Sequence, residues 1–270
     1  MGTRRDSEAA AMSDKHEASA ELEAERPLFA RMMGAIHVKH TRGNRVGFVK
    51  LPLILTDKRL YGGAIAQFYF LTERLEARLR EHAAHPLVKH LLDELDLKPI
   101  APGYEADLAQ IFGVDDERTP LAWRAAAAAT RTPATEKYLV ALENAGPVEL
   151  VGAAFILYGA LVIGGGKNTQ KRVKRVLPGC DHVLFDVADD MPAARRRFKN
   201  LFTQVTKDHA GKGPVAPEHG DALVAHAGRY MTRNNEVVLS VRCVPNWLYR
   251  VAAVSIAAVA VVAARRLRGR

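Results

Sequence analysis

Apolar side chains recur at the three-to-four-residue spacing of amphipathic helices along most of the chain, and strand-like alternation is scarce. This periodicity predicts helices over residues 19–42, 57–82, 87–97, 104–112, 133–145, 148–174, 192–208 and 219–239. Gly47, Gly103, Gly146 and the 211–214 stretch fall at expected helix stops. The pattern therefore predicts an all-α fold, with residues 25–243 forming one helical domain.

The two ends of the chain depart from this pattern. Residues 1–24 are rich in charge and almost free of large apolar side chains, so we expect a disordered tail. Residues 251–264 are fourteen positions without a charge, and Trp247 and Tyr249 extend them toward an interfacial aromatic pair. A helix over 247–264 reaches about 27 Å, close to the roughly 30 Å of a hydrocarbon core.

We therefore expect residues 246–264 to form a C-terminal hydrophobic helix that anchors the domain in a membrane, followed by a basic tail at 265–270. The anchored domain would face the cytosol, and the sequence leaves the organelle open. A buried terminal helix is the alternative.

Composition and charge narrow the classes of protein further. A chain of 270 residues with 48% apolar content can bury one sizeable core. The net charge of +9 is spread over local runs, such as 167–175 and 195–199, without an aromatic-studded basic stripe, so nucleic acid is not an expected partner. Cys180 and Cys243 provide neither a disulfide framework nor a clustered metal site, which favours a reducing compartment.

Candidate chemistry lies in the segment 40–50, which reads HTRGNRVGFVK. A neutral imidazole on a helix can give one ring nitrogen to an iron while the other donates to an acceptor that fixes the ring. Asn44 lies one helical turn after His40 and could supply that acceptor. His37 is on nearly the same face and competes for the ligand role. By periodicity alone, a single helix histidine is more often structural than ligating.

A second candidate is the run Gly164, Gly165 and Gly166 at the end of an apolar stretch. Each glycine in a helix lowers helix stability by about 1 kcal/mol relative to alanine, so three consecutive glycines indicate a structural or functional requirement. Close approach of the backbone to a flat ligand is one reason, and a plain loop is an equally good one.

Several segments, in order along the chain, resemble the heme oxygenase family. They are His40-Thr41 with 46–50, the aromatic run 68–70 with Glu73, the block 105–113, Thr132-Pro133-Ala134 with Tyr138, the stretch 155–167, and the stretch 195–203. The resemblance covers about residues 27–240 and is to plant-type and tail-anchored eukaryotic members, with a divergent distal helix. It implies a single-domain heme-oxygenase-like fold and, at 46–50, a turn.

The resemblance also implies roles for individual residues around heme b. His40 would be the proximal ligand of the iron, with Asn44 where the family has Glu. Phe155 stands where the family has Tyr, and Gly159, Gly164, Gly165 and Gly166 would lie against the macrocycle. Lys199 matches a residue that binds a heme propionate, whereas Thr203 replaces an Arg. A nearby Arg such as Arg195 or Arg196 could join Lys199 in holding the carboxylate.

The family's distal Asp, which orders the water that supplies protons, has no counterpart here. One register places Ala160 at that position and another places Val162, so the catalytic residue is unknown. The function implied is oxidative cleavage of heme to biliverdin, CO and iron, with O2 and electrons from a separate reductase. The alternatives are a non-catalytic heme-binding carrier or sensor and, less favoured, a scaffold that binds no heme.

Overall fold

The computed structural model describes residues 27–113, 122–202 and 217–245, the side chains of residues 217 and 218 excepted. Its helices are α1 (Leu28–Ile54), α2 (Lys58–Glu81), α3 (Pro86–Leu95), α4 (Ile100–Phe112), α5 (Ala122–Ala128), α6 (Pro133–Glu143), α7 (Pro147–Val162), α8 (Gly166–Val176), α9 (Met191–Leu201) and α10 (Pro217–Ser240), with a 3₁₀ turn at Val183–Phe185. These residues contain no strand, so the all-α prediction is confirmed. The expected tail at 1–24, anchor at 246–264 and basic tail at 265–270 lie outside them.

Local signals explain why four of the predicted helices begin where they do. The Asp57 carboxylate accepts hydrogen bonds from the backbone N–H groups of Arg59 (2.7 Å) and Leu60 (3.4 Å), which starts α2. The side chain of Asp190 starts α9 in the same way. Proline at the first helical position of α6 and α7 needs no hydrogen-bond acceptor, so it fits there without cost.

The predicted helices differ from the observed ones in several places. The helix expected from residue 104 begins at Ile100. The helix expected to end at residue 42 continues as α1 through Gly43 and Gly47 to Ile54, so 46–50 is helix rather than a turn. The helix expected over 148–174 is two helices, α7 and α8, which meet at an angle of 53°. Helix α5 was not predicted at all.

Close packing between elements explains two of the glycines inside helices. A Cβ on Gly43 would lie 2.2 Å from Oδ1 of Asn235 on α10. A Cβ on Gly103 would lie 3.1 Å from Cα of Leu184, so this glycine lies within α4 rather than ending a helix. Tertiary contact therefore overrides the low helix propensity of glycine at both positions.

Helix α10 is the common neighbour of α1 and α7. Lys39 Nζ on α1 donates to the carbonyl of Gly228 on α10 over 2.7 Å. On the other side, the Tyr230 hydroxyl donates to the carboxylate of Glu149 on α7 over 3.1 Å. A Cβ on Gly152 of α7 would lie 2.6 Å from Cβ of His226, so α7 and α10 are in backbone-close contact.

Within the three described stretches, no single helix has the length and apolar composition needed to cross a bilayer. Only α7 and α8 taken together pass that test, as a pair bent by 53°.

Candidate functional site

His40 lies half-buried on α1, and its Nδ1 is 3.4 Å from Nδ2 of Asn44, one turn later. The nitrogen and oxygen of an amide occupy nearly equivalent positions, so a half-turn of the Asn44 amide places Oδ1 at Nδ1. In that arrangement Nδ1–H donates to Asn44 and Nε2 keeps its lone pair for a metal. Helix geometry thus brings the two side chains together, and the role of Asn44 as acceptor stays a prediction.

His37 is the competing histidine, and it is exposed to solvent. Its backbone carbonyl accepts a hydrogen bond from the Thr41 hydroxyl over 3.0 Å. Of the two rings, only that of His40 has a side-chain hydrogen-bond partner within the described residues. This difference favours His40 as the axial ligand.

The three consecutive glycines form the bend between α7 and α8. A Cβ on Gly164 would lie 2.7 Å from the carbonyl oxygen of Ala160, and a Cβ on Gly166 would lie 2.7 Å from that of Leu161. Gly165 has φ of +87°, a left-handed conformation that disfavours other residues. The bend itself therefore requires all three glycines, whether or not a ligand also approaches them.

The bend leaves Ala160 and Gly164, four residues apart, exposed on one face of the α7 end, with Gly159 half-buried beside them. Val162 is fully buried, so the two candidate positions for the missing Asp differ sharply in environment. Residues 150–166 contain no Asp or Glu, so the end of α7 carries no carboxylate in any register.

Phe155 is buried in an aromatic cluster that joins three helices. Its ring centroid lies 5.9 Å from that of Phe29 on α1, 5.7 Å from that of Phe198 on α9 and 4.9 Å from that of Phe202. A Cβ on Gly159 would lie 3.3 Å from the Phe198 ring. Phe155 therefore fixes α1 and α9 against α7, and contact of its ring with a ligand stays a prediction.

Lys199 follows Phe198 on α9 and is exposed. Arg195, one turn earlier, is already engaged, because its Nε donates to the carbonyl of Val162 at the end of α7 over 2.9 Å. The sequence predicted that Lys199 and a nearby Arg such as Arg195 would bind a heme propionate. The structure makes Arg195 a cap of α7. The propionate role of Lys199 stays a prediction, and Thr203 lies outside the described residues.

The motif residues Glu73 and Glu105 belong to a network away from the glycine bend. Both carboxylates accept from the Tyr69 hydroxyl, each over 2.9 Å, and Arg124 on α5 lies 2.6 Å from Glu105 and 3.3 Å from Glu73. Burial raises the pKa of Tyr69, and the two carboxylates raise it further. These residues hold α5 against α2 and α4.

Asp107 is a structural residue whose role the sequence did not reveal. It is fully buried, and its carboxylate accepts from the backbone N–H groups of Val183 (2.8 Å) and Leu184 (2.9 Å). Burial raises the pKa of this carboxyl, and the two hydrogen bonds only partly offset that. The signal in the sequence was the position of Asp107, an acidic residue on the apolar face of α4.

No group of three His, Cys, Asp or Glu side chains suited to a metal ion occurs in the described part of the chain. His82 and His85 lie in the turn between α2 and α3, where the His85 ring accepts from the N–H of Leu87.

Within the described residues the protein is all-α, and its first helix carries a half-buried histidine with a side-chain partner one turn later. Residues 27–238 match the family model "Heme oxygenase". The chain belongs to the heme oxygenase family.

The chain is similar to heme oxygenases of known sequence and structure. The chain is 24% identical over 193 residues to heme oxygenase 1 of Nostoc sp. (strain PCC 7120 / SAG 25.82 / UTEX 2576), covering 68% of this chain and 76% of that one. Heme oxygenase 2 of Chlamydomonas reinhardtii, solved without heme, has a TM-score of 0.65 at 22% identity, over 82% of this chain and all of that one. Heme oxygenase-1 of Synechocystis sp. PCC6803, solved with heme, has a TM-score of 0.63 at 18% identity, over 86% and 99%.

Proposed function

We propose that this protein is a heme oxygenase, which cleaves heme to biliverdin, CO and iron using O2 and electrons from a separate reductase. The observation that carries the proposal is the His40–Asn44 pair on α1, in a chain that matches the family over residues 27–238. The family match favours turnover over a non-catalytic carrier.

Heme supplies the redox-active iron and is itself the molecule that is cleaved. His40 would hold the iron through Nε2, with Asn44 fixing the ring through Nδ1. The side-chain-poor face at Ala160 and Gly164 would lie against the macrocycle, and Lys199 would pair with a propionate.

Proton supply must differ from the Asp-based scheme that the resemblance implies. The only hydroxyl between residues 150 and 166 belongs to Tyr158, which is buried, and burial raises its pKa. The residues at the α7 end therefore have no side chain suited to donate a proton at neutral pH. Water reaching the exposed Ala160–Gly164 face is the remaining source.

Two acidic substitutions test whether a missing proton donor limits the rate. Ala160→Asp adds a carboxylate at an exposed position and should raise the rate of heme loss without loss of stability. Val162→Asp buries a charge and should cost several kcal/mol of stability. Unchanged heme loss in a stably folded Ala160→Asp protein would contradict the view that a missing acid limits the rate.

The exposed face of α8 is the surface we assign to the reductase. It carries four exposed basic side chains: Lys171, Arg172, Lys174 and Arg175. An acidic electron-transfer protein would be steered to such a surface, and the association would weaken with salt. The assignment predicts that charge-neutralising variants slow heme loss driven by a protein reductase and leave a small-molecule reductant unaffected.

We further propose that residues 246–264 anchor the protein in a membrane with its helical domain on the cytosolic side. The supporting feature is the uncharged run at 251–264, bounded by interfacial aromatics and four arginines. Deletion of residues 246–270 should release the protein from the membrane pellet, and a deleted chain that still pellets would contradict the anchor.

The first experiment is a hemin titration of the full-length protein, followed by addition of reductant under air with catalase present. Loss of the Soret band with appearance of a bile pigment supports the oxygenase. A stable Soret band would instead support the carrier. His40→Ala should abolish the ligated spectrum while His37→Ala, the matched control, preserves it, and the reverse result would move the axial ligand to His37.

A further inference from the structure

The outer face of α1 carries three exposed apolar side chains with two exposed arginines between them. Val38, Arg42, Arg45, Val49 and Leu53 recur at helical spacing and form one stripe, here called the outer stripe. Val38 is 78% exposed, Val49 69% and Leu53 45%. Clustered apolar exposure of this kind marks a surface that contacts something other than water.

The charge of α1 narrows what that contact can be. The helix has 27 residues, five of them Lys or Arg, and no Asp or Glu. A solvated helix face usually mixes both signs. Arg42 and Arg45 make no ion pair within the described residues. Basic side chains between exposed apolar ones are typical of a helix that lies on an anionic lipid surface.

The position of the stripe brings it close to the proposed anchor. Lys50 Nζ on α1 donates to the carbonyls of Val238 (3.1 Å) and Leu239 (2.5 Å), so the C-terminal ends of α1 and α10 adjoin. Leu239 is 52% exposed at this corner. Helix α10 ends at Ser240, and the segment 246–264 follows six residues later. Anchoring through that segment holds this corner at the bilayer.

We propose that the outer stripe, with Leu239, is the surface by which the domain rests on anionic lipid. Arg42 and Arg45 contact the phosphates, and the apolar members of the stripe enter the boundary between headgroups and acyl chains. The inference rests on the membrane anchoring proposed above. His40 is nine residues before Val49, half a turn out of phase, so the heme side of α1 faces away from the lipid.

The experiment is oxidative footprinting of the full-length protein in detergent, on phosphatidylcholine vesicles, and on vesicles that also contain phosphatidylserine. Trypsin releases residues 46–50 as one peptide, which carries Val49 and the 72%-exposed Phe48. Val140 on α6, 60% exposed, is the internal control. Phosphatidylserine vesicles should lower oxidation of the 46–50 peptide several-fold and leave Val140 unchanged.

A charge variant tests the headgroup contact. Arg42→Gln with Arg45→Gln should weaken the lipid contact by about fivefold per arginine. Trypsin then releases residues 40–50 as one peptide, and protection of Phe48 and Val49, located by fragmentation of that peptide, should fall while the protein still pellets. The matched control, Lys89→Gln with Lys137→Gln, removes two exposed charges elsewhere and should leave protection unchanged.

The outcomes separate this inference from the anchor itself. Protein that pellets with 46–50 as reactive as in detergent overturns the docking surface and leaves the anchor standing. Protein that fails to pellet with either kind of vesicle overturns both the docking surface and the anchor. Equal protection on neutral and anionic vesicles overturns the assignment to anionic lipid in favour of contact with a neutral bilayer. Protection that rises with protein concentration in the absence of vesicles overturns it in favour of a second copy of the chain.

Discussion

Gly43 is the position where the packing of the His40 helix can be measured directly. Gly34, Gly43 and Gly47 all lie inside α1, but only a Cβ on Gly43 meets another helix, 2.2 Å from Oδ1 of Asn235. The Asn235 amide cannot stay in place beside that Cβ, and its 2.7 Å bond to the Lys39 carbonyl would be lost.

The magnitudes follow from two opposing effects. Alanine in place of a helical glycine stabilises by about 1 kcal/mol when space is free, as it is at Gly34. At Gly43 the same gain is offset by a lost hydrogen bond, about 1 kcal/mol, and by a displaced amide left without its partner, about 1–3 kcal/mol. Gly34→Ala should therefore stabilise by about 1 kcal/mol, and Gly43→Ala should destabilise by about 1–3 kcal/mol.

The assay is urea unfolding of the heme-free protein, followed by circular dichroism. A double-mutant cycle with Asn235→Ala isolates the contact, since Gly43→Ala should become stabilising once the amide is gone. If Gly43→Ala stabilises the original protein as much as Gly34→Ala does, the proposed contact between α1 and α10 is refuted.

Three further predictions concern other buried contacts. Asp107→Ala leaves the N–H groups of Val183 and Leu184 without their acceptor and should cost about 2–5 kcal/mol in urea unfolding, whereas Asp181→Ala, an exposed neighbour, should cost far less. Burial lowers the pKa of His226 below its usual 6.5, with Arg229 adding to this and Glu149 opposing it, so the folded state binds the proton less tightly than the unfolded chain. Stability should fall as pH drops below about 6.5, and His226→Gln should flatten that part of the pH profile; an unchanged slope would refute the assignment. Arg195→Met should destabilise by about 1 kcal/mol and weaken hemin binding through the end of α7, and an equal effect of the exposed Arg196→Met would contradict this.

Local signals made part of this structure predictable. Asp57 and the Thr132-Pro133 pair act on backbone groups within a few residues, so they place the starts of α2 and α6 from sequence alone. The His40–Asn44 pair is equally local, because residues four apart share a helix face. The all-α class therefore came from the sequence pattern, whereas the choice of His40 as iron ligand came from the family resemblance and stays a prediction.

Contacts between distant residues were not predictable in this way. Helix α1 continues past Gly43 because Asn235, nearly 200 residues later, packs there. Val162 and Ala160 looked equivalent as substitutes for the distal Asp until the fold buried one and exposed the other. Arg195 looked like a carboxylate partner, and its use at the end of α7 depends on how α9 crosses that helix.

A single turn of α10 sets the relative placement of the two helices that carry the candidate site. Gly228 holds α1 through Lys39, while His226 and Tyr230, two residues to either side, hold α7 through Gly152 and Glu149. These attachments are spaced by about 3 Å along one helix. Because a helix is stiff on that scale, α1 and α7 cannot separate without breaking one of them. The position of His40 relative to α7 is therefore a property of the packed core, and the loops that join the helices contribute little to it.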